Sequence, residues 1–270
     1  MNLSPIKNMM FVTLLTTSVV YSTTAFSLTS SSSAYSPSIN LNQTKQATKI
    51  MARDGDAAAQ YILARNYRDG KGVNRNIEKA IELYTSSAKK GFAASQIDLG
   101  QLYTTGIGVE KDLPKAFYWF KQSADQGYAT AQYNVANMYR NGNGVEKNLE
   151  KAAYYYKSAA KSGFEKAQFN MALMYYFGMG VEKDLEKVAY WYEQAADQGL
   201  HEAQYYLANM YKDGEGVKMD LDRAFILYKK ASRGGVVKAG AALQEVKALI
   251  AVQSDEANSK PLVENEFALQ

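Results

Sequence analysis

The amino-acid sequence predicts an all-α fold, a solenoid of stacked helix-turn-helix units. Three observations carry that reading. From Gly55 to Gly234 the chain repeats with a constant period of 36 residues and no insertion. Within each block apolar positions recur every three or four residues, the spacing of one helical face. A Gly-x-Gly-Val turn separates two such stretches in every block. A period of this size makes each block one supersecondary unit that buries its apolar face only against its neighbours.

The elements follow in chain order. Residues 1–25 have the layout of an export signal: Lys7 supplies the positive start, Met9 to Val20 form an apolar core of 12 residues, and small or polar residues lead to a cleavage site expected after Ala25. That core is shorter than the roughly 20 residues a membrane-spanning helix needs. Residues 26–42 are rich in Ser, with little charge and no apolar period, and are expected to be a flexible linker. Residues 43–54 are expected to form an N-terminal capping helix.

The five blocks run 55–90, 91–126, 127–162, 163–198 and 199–234. In the third, Ala131, Val135 and Tyr139 recur every four residues, and after the turn Ala152, Tyr156 and Ala160 do the same. Each block therefore folds as two amphipathic helices, A and B. The first Gly of the turn (Gly70, Gly106, Gly142, Gly178, Gly214) stops helix A in a left-handed conformation that suits glycine. Asn76, Asp112, Asn148, Asp184 and Asp220 stand where a side chain caps the first amides of helix B. Gly91, Gly127, Gly163 and Gly199 stop helix B. Two further columns are constant, Gln60, Gln96, Gln132, Gln168 and Gln204, and Tyr67, Tyr103, Tyr139, Tyr175 and Tyr211. Residues repeated in every block pack one hairpin on the next, so the Ala and Tyr columns are expected to be core. A partial sixth block supplies a C-terminal capping helix over 235–253, and 254–270, without a period, is expected to be a mobile tail.

Composition narrows the function. With 47% hydrophobic and 21% charged residues the chain is an ordinary folded one. It has no cysteine, which removes disulfides, Cys-based metal sites, a thiol nucleophile and a lipidated cysteine anchor. The formal charge of +4 falls to about +3 without Lys7, too near balance for a nucleic-acid partner or an anionic membrane surface. No integral membrane segment is expected once the signal is removed. The single histidine, His201, is read as a surface residue, and the recurring carboxylates Asp112 and Asp184 are explained as caps. The Gly-x-Gly-Val turn lacks the preceding strand and third glycine of a dinucleotide loop. No catalytic residue, metal or cofactor is therefore expected.

The second block, with Leu99, Gly100, Tyr103, Gly106, Gly108, Val109, Asp112, Lys115, Ala116, Trp119, Phe120, Ala124 and Gly127, resembles the Sel-one-like repeat (SLR) family, a relative of the tetratricopeptide repeat. The resemblance covers 55–234 and implies an α/α right-handed superhelix acting as an adaptor or scaffold. Cysteine-rich members pin each hairpin with a disulfide and some resemble β-lactamases or penicillin binders; this chain lacks those cysteines.

In related tetratricopeptide proteins the exposed side of helix A lines a concave face, so the resemblance implies that a partner is held there. Counting from the first Gly of a block, position 8 reads Ile62, Asp98, Asn134, Asn170 and Tyr206, and position 11 reads Arg65, Gln101, Asn137, Leu173 and Asn209. Asn134, Asn137, Asn170 and Asn209 offer donor and acceptor together and could clamp an extended peptide backbone. Arg140 and Lys212 could meet carboxylates, and Tyr176, Phe177 and Tyr206 could anchor apolar side chains. The expected function is an exported, periplasmic or secreted adaptor for a protein or peptide. An alternative is a periplasmic immunity or inhibitor protein that neutralises a toxic enzyme, and a third a cell-envelope hydrolase.

Overall fold

A computed structural model describes residues 41–259. The signal expected over 1–25, most of the linker over 26–42 and most of the tail lie outside the described residues. Within them the chain forms twelve α-helices and no strand. They are α1 (Leu41–Arg53), α2 (Ala57–Asp69), α3 (Ile77–Lys89), α4 (Ala93–Thr105), α5 (Leu113–Asp125), α6 (Ala129–Asn141), α7 (Leu149–Lys161), α8 (Glu165–Phe177), α9 (Leu185–Asp197), α10 (His201–Asp213), α11 (Leu221–Arg233) and α12 (Val237–Ser259). Two compact units result, one ending at Asn148 and one beginning at Leu149. Inside each unit every helix packs on the next in the chain, α1 to α6 in the first and α7 to α12 in the second.

The ten helices of the blocks are each 13 residues long and alternate as helices A and B. Their ends explain that constancy. Asn76, Asp112, Asp184 and Asp220 each accept the backbone N–H three residues on, at 2.7 to 3.0 Å, satisfying a donor that a helix start leaves open. The backbone N–H of the same cap residues donates to the carbonyl of the constant tyrosine of helix A, Tyr67, Tyr103, Tyr175 and Tyr211, closing each hairpin at 2.9 to 3.3 Å. Over those rings lie cations from helix B, Lys79, Lys115, Lys187 and Arg223, 5.0 to 5.5 Å from the centroids.

The second glycine of each turn does more than permit a tight bend. A Cβ at Gly144, Gly180 or Gly216 would collide with the carbonyl group of Leu113, Leu149 or Leu185, where the preceding B helix begins. That glycine sets how closely successive repeats approach. Between blocks, helix B ends with the N–H of Phe92, Tyr128, Phe164 or Leu200 bonded to a carbonyl five residues back, and the same apolar residue begins the next helix A without a side-chain cap.

The core follows the expected columns: Ala131, Ala136, Tyr139, Ala152, Tyr156 and Ala160 are all buried, as are Tyr84, Phe120, Tyr192 and Tyr228 at the place of Tyr156 in the other repeats. In the first unit Ala64, Ala80, Tyr84, Ala88, Leu99 and Leu102 form one cluster, against which Val109 of the turn packs. Small alanines at the crossings let the B helices approach while the rings fill the space between layers.

The constant glutamines tie repeat to repeat. Nε2 of Gln60, Gln96, Gln132, Gln168 and Gln204 donates to the carbonyl of Ala52, Ala88, Ala124, Ala160 and Ala196, at 3.1 to 3.4 Å, near the end of the preceding B helix or of α1. In three of the five the other end of the amide is served thirty residues on, whereas Gln132 Oε1 is buried without a partner. Lys90 Nζ donates to Gln60 Oε1 at 3.4 Å, Gln126 to Gln96 at 2.8 Å and Gln198 to Gln168 at 2.7 Å. A buried amide satisfied at both ends fixes register as well as adding stability.

The flanking helices depart slightly from expectation. The first runs from Leu41, two residues into the expected linker. The last continues to Ser259, through the start of the expected tail, because Ser254 to Ser259 contain no helix breaker.

Candidate functional site

Helix A of each block presents positions 8, 11 and 14 together, and the two units carry different chemistry there. In the first unit Arg68 of α2 reaches Asp98 of α4 at 3.2 Å while also bonding Asp69 at 2.8 Å. Burial pushes the Asp98 carboxyl above the usual carboxylate range, opposed by the Arg68 charge. Beneath them the buried Tyr84 hydroxyl faces Asp98 without closing a full hydrogen bond, and burial first, then that carboxylate, raises its pKa.

On α6, Asn134 is half-buried. Asn137 donates from Nδ2 to the Tyr133 carbonyl one turn back at 3.0 Å, and Arg140 Nε donates to Asn141 Oδ1 at 3.3 Å.

The second unit replaces the charged pair with aromatics. The Tyr206 ring on α10 stacks on Tyr192 of α9, centroids 5.6 Å apart and planes 13° from parallel, with Phe169 of α8 tilted against both. Tyr192 is buried, and burial followed by the neighbouring Tyr206 and Tyr176 hydroxyls raises its pKa. Tyr176 and Phe177 at the end of α8 meet edge to face at 5.0 Å, with Lys183 Nζ 5.5 Å from the Tyr176 centroid. Tyr176, Phe177 and Tyr206 remain 39%, 64% and 42% exposed. Large rings left open on one side are suited to receiving an apolar group.

Other sequence-predicted residues are occupied by the protein itself. Asn170 Nδ2 donates to the Lys166 carbonyl at 2.8 Å. Asn209 Oδ1 accepts from the Tyr228 hydroxyl at 2.6 Å, fixing a buried tyrosine. Lys212 reaches Glu245 of α12 at 3.0 Å and Asp213 at 3.7 Å, and the bond to Glu245, above all, raises its pKa. The amides of Asn137, Asn170 and Asn209 therefore already have internal bonds, and the exposed rings are what the surface offers outward.

Among the described residues no cluster of three or more His, Asp and Glu could hold a metal ion, and no helix is long and apolar enough to cross a membrane. Sequence reasoning missed the glutamine ties, although a constant polar column between apolar ones is their signal. It also missed the exposed rings of the B helices, Tyr118, Tyr154 and Tyr190, because tyrosine reads as core in this pattern.

The Sel1 repeat family model matches five consecutive stretches, 57–92, 93–128, 129–164, 165–200 and 201–236, each beginning at the first residue of a helix A. Among solved structures, a protective antigen of uropathogenic Escherichia coli strains displaying an SLR fold is similar with a TM-score of 0.74 and 30% identity. The alignment covers 76% of this chain but only 44% of the antigen. A Sel1 repeat protein from Oxalobacter formigenes is similar with a TM-score of 0.66 and 32% identity, over 76% of this chain and 84% of that one. No curated protein matches the chain.

Proposed function

The chain belongs to the Sel1 repeat family, and from that premise we propose that it is an exported scaffold holding a protein or peptide segment against the exposed rings of its second unit. Sel1 repeat proteins mediate protein–protein interaction. The observation that carries this reading is the open aromatic group Tyr176, Phe177 and Tyr206, at positions where the other blocks carry polar or charged residues, Ile62 excepted. Rings kept at a surface at the cost of solubility gain a purpose when a partner covers them. Export rests on the layout of residues 1–25, with Lys7 before the apolar stretch Met9 to Val20. Asn170, Asn209 and Lys212, on the same unit as the rings, serve as the polar surround rather than the anchor.

The test is affinity capture from a cell-envelope fraction with residues 26–270, run in parallel with a Phe177→Ser/Tyr206→Ser variant of unchanged melting temperature. A protein retained by the parent chain and lost by the variant supports the reading. A partner held equally by both removes the rings from the interface.

A further inference from the structure

We propose that a crevice on the B-helix side of the second unit, beside Tyr190, binds a pyranose sugar; this site is separate from the rings of helix A and does not depend on them. The crevice has a volume of about 450 Å³ and is lined by Lys161, Tyr190, Trp191, Gln194 and Asp197, with the Gln168–Gln198 hydrogen bond in its wall. That volume suits a small ligand of one or two rings. Tyr190, Gln194 and Asp197 stand at i, i+4 and i+7 of α9, on one face. Trp191 is buried and meets Tyr190 edge to face at 4.9 Å and 74°, holding the outer ring in place while Tyr190 stays 51% exposed.

The chemistry fits a sugar better than a peptide. A pyranose presents an apolar C–H face, which stacks on an aromatic ring, and an edge of hydroxyls that both donate and accept. Gln194 supplies donor and acceptor together, Asp197 accepts and Lys161 donates. Among the described residues neither Lys161 nor Asp197 is held in an ion pair. Because Trp191 is buried and the two rings meet at an angle, there is no slot between parallel rings of the kind that grips proline.

A second observation points the same way. The same residue types recur 72 positions earlier in the first unit as Lys89, Tyr118, Trp119, Gln122 and Asp125, with Tyr118 and Trp119 at 4.8 Å and 75°. Both tryptophans of the chain belong to this set. The other blocks break it, with Glu82 and Leu83 in the first, Ser158 in the third, and Ile226 and Leu227 in the fifth. The two copies differ at one point: Lys121 binds Asp125 at 2.5 Å, whereas the matching residue in the second unit is Glu193. The Asp197 carboxylate is therefore open to a ligand and that of Asp125 is not, and the second unit holds the tighter site.

The two tryptophans make the test direct. In Trp119→Phe the fluorescence of Trp191 is titrated with cellotriose, maltotriose and chitotriose, and with a ten-residue proline peptide as control; calorimetry on the unsubstituted chain repeats each titration. At least one of the three sugars is expected to give a saturable change. Tyr190→Ala and Gln194→Ala should weaken it by roughly threefold to tenfold each, with unchanged circular dichroism. In Trp191→Phe, the Trp119 copy should bind more weakly, and adding Lys121→Glu should tighten it. The proposal is overturned by no response to any of the sugars up to roughly 10 mM, where even millimolar affinity shows. Saturation by the proline peptide alone, or undiminished sugar binding by Tyr190→Ala, overturns it equally.

Discussion

His201 Nδ1 lies 3.1 Å from Gln204 Oε1, where it donates to the amide oxygen that Gln198 serves for Gln168 one repeat earlier. The substitution is forced. The residue thirty positions after Gln204 is Gly234, which has no side chain to offer, and a Cβ there would run into the His201 ring. The chain's one histidine is exposed, as the sequence suggests, yet it completes the last of the buried glutamine ties.

This relationship predicts a compensating pair. His201→Ala should cost about 1 kcal/mol, the usual penalty for unpairing a buried acceptor. Gly234→Gln alone should also destabilise, because its side chain meets the histidine. The double variant recreates the Gln198–Gln168 arrangement and should recover the loss, since Gly234 has an ordinary φ of −79°. Urea unfolding of the four proteins gives the coupling; a double variant no more stable than His201→Ala sinks this account.

Two buried tyrosines at equivalent places should respond differently to losing their hydroxyl. Tyr228→Phe strips Asn209 Oδ1 of its donor and should cost roughly 0.5 to 1.5 kcal/mol. The Tyr84 hydroxyl is buried without a completed hydrogen bond, so Tyr84→Phe should be neutral or slightly stabilising. Thermal melts of the two variants decide it, and equal losses would show that Asn209 contributes nothing.

Most of the architecture is legible in the sequence because it is local. The Asn76 and Asp112 caps, the left-handed Gly70 and Gly106, and the apolar spacing of Ala131 and Tyr139 each involve residues within one turn or one hairpin. The candidate site was less legible because its chemistry is decided by residues thirty or more positions apart. Asp98 looks like a free inward carboxylate until Arg68 is placed beside it, and Lys212 looks available until α12 brings Glu245. Asn137 and Asn170 show a nearer limit: an amide on a helix can satisfy itself on its own backbone, and sequence cannot tell that from a ligand contact.

Acid stability should carry two opposing signatures. Hydrogen bonds from Lys115 and Lys187, reinforced by backbone N–H groups, hold the Asp112 and Asp184 carboxyls below the usual range. Their contribution is present above the ordinary aspartate pKa of about 3.9 and is lost as pH falls through their lower folded values. Asp98, raised mainly by burial, acts oppositely: its contribution is complete below about 3.9 and declines as pH rises through its raised folded value. Melting temperatures from pH 2 to 7 should therefore fall less on acidification in Asp112→Asn/Asp184→Asn, which keeps the caps but not the charges. In Asp98→Asn the decline above pH 4 contributed by that group should vanish. Curves parallel to the parent in both variants would contradict these assignments.

Two glycines of one hairpin region separate backbone strain from steric closure. Gly163 has φ +84° with open space around its Cβ position, so Gly163→Ala should cost only the strain of a left-handed residue, about 1 to 2 kcal/mol. Gly180 has φ +66° and its Cβ would enter the Leu149 carbonyl, so Gly180→Ala adds a backbone collision that no side-chain movement relieves. The second variant should lose clearly more stability than the first, and α7 and α9 should be forced apart where Leu149 begins its helix. Similar urea midpoints for the two would mean that the second glycine of the turn serves the bend alone, and that the approach of successive repeats is set elsewhere.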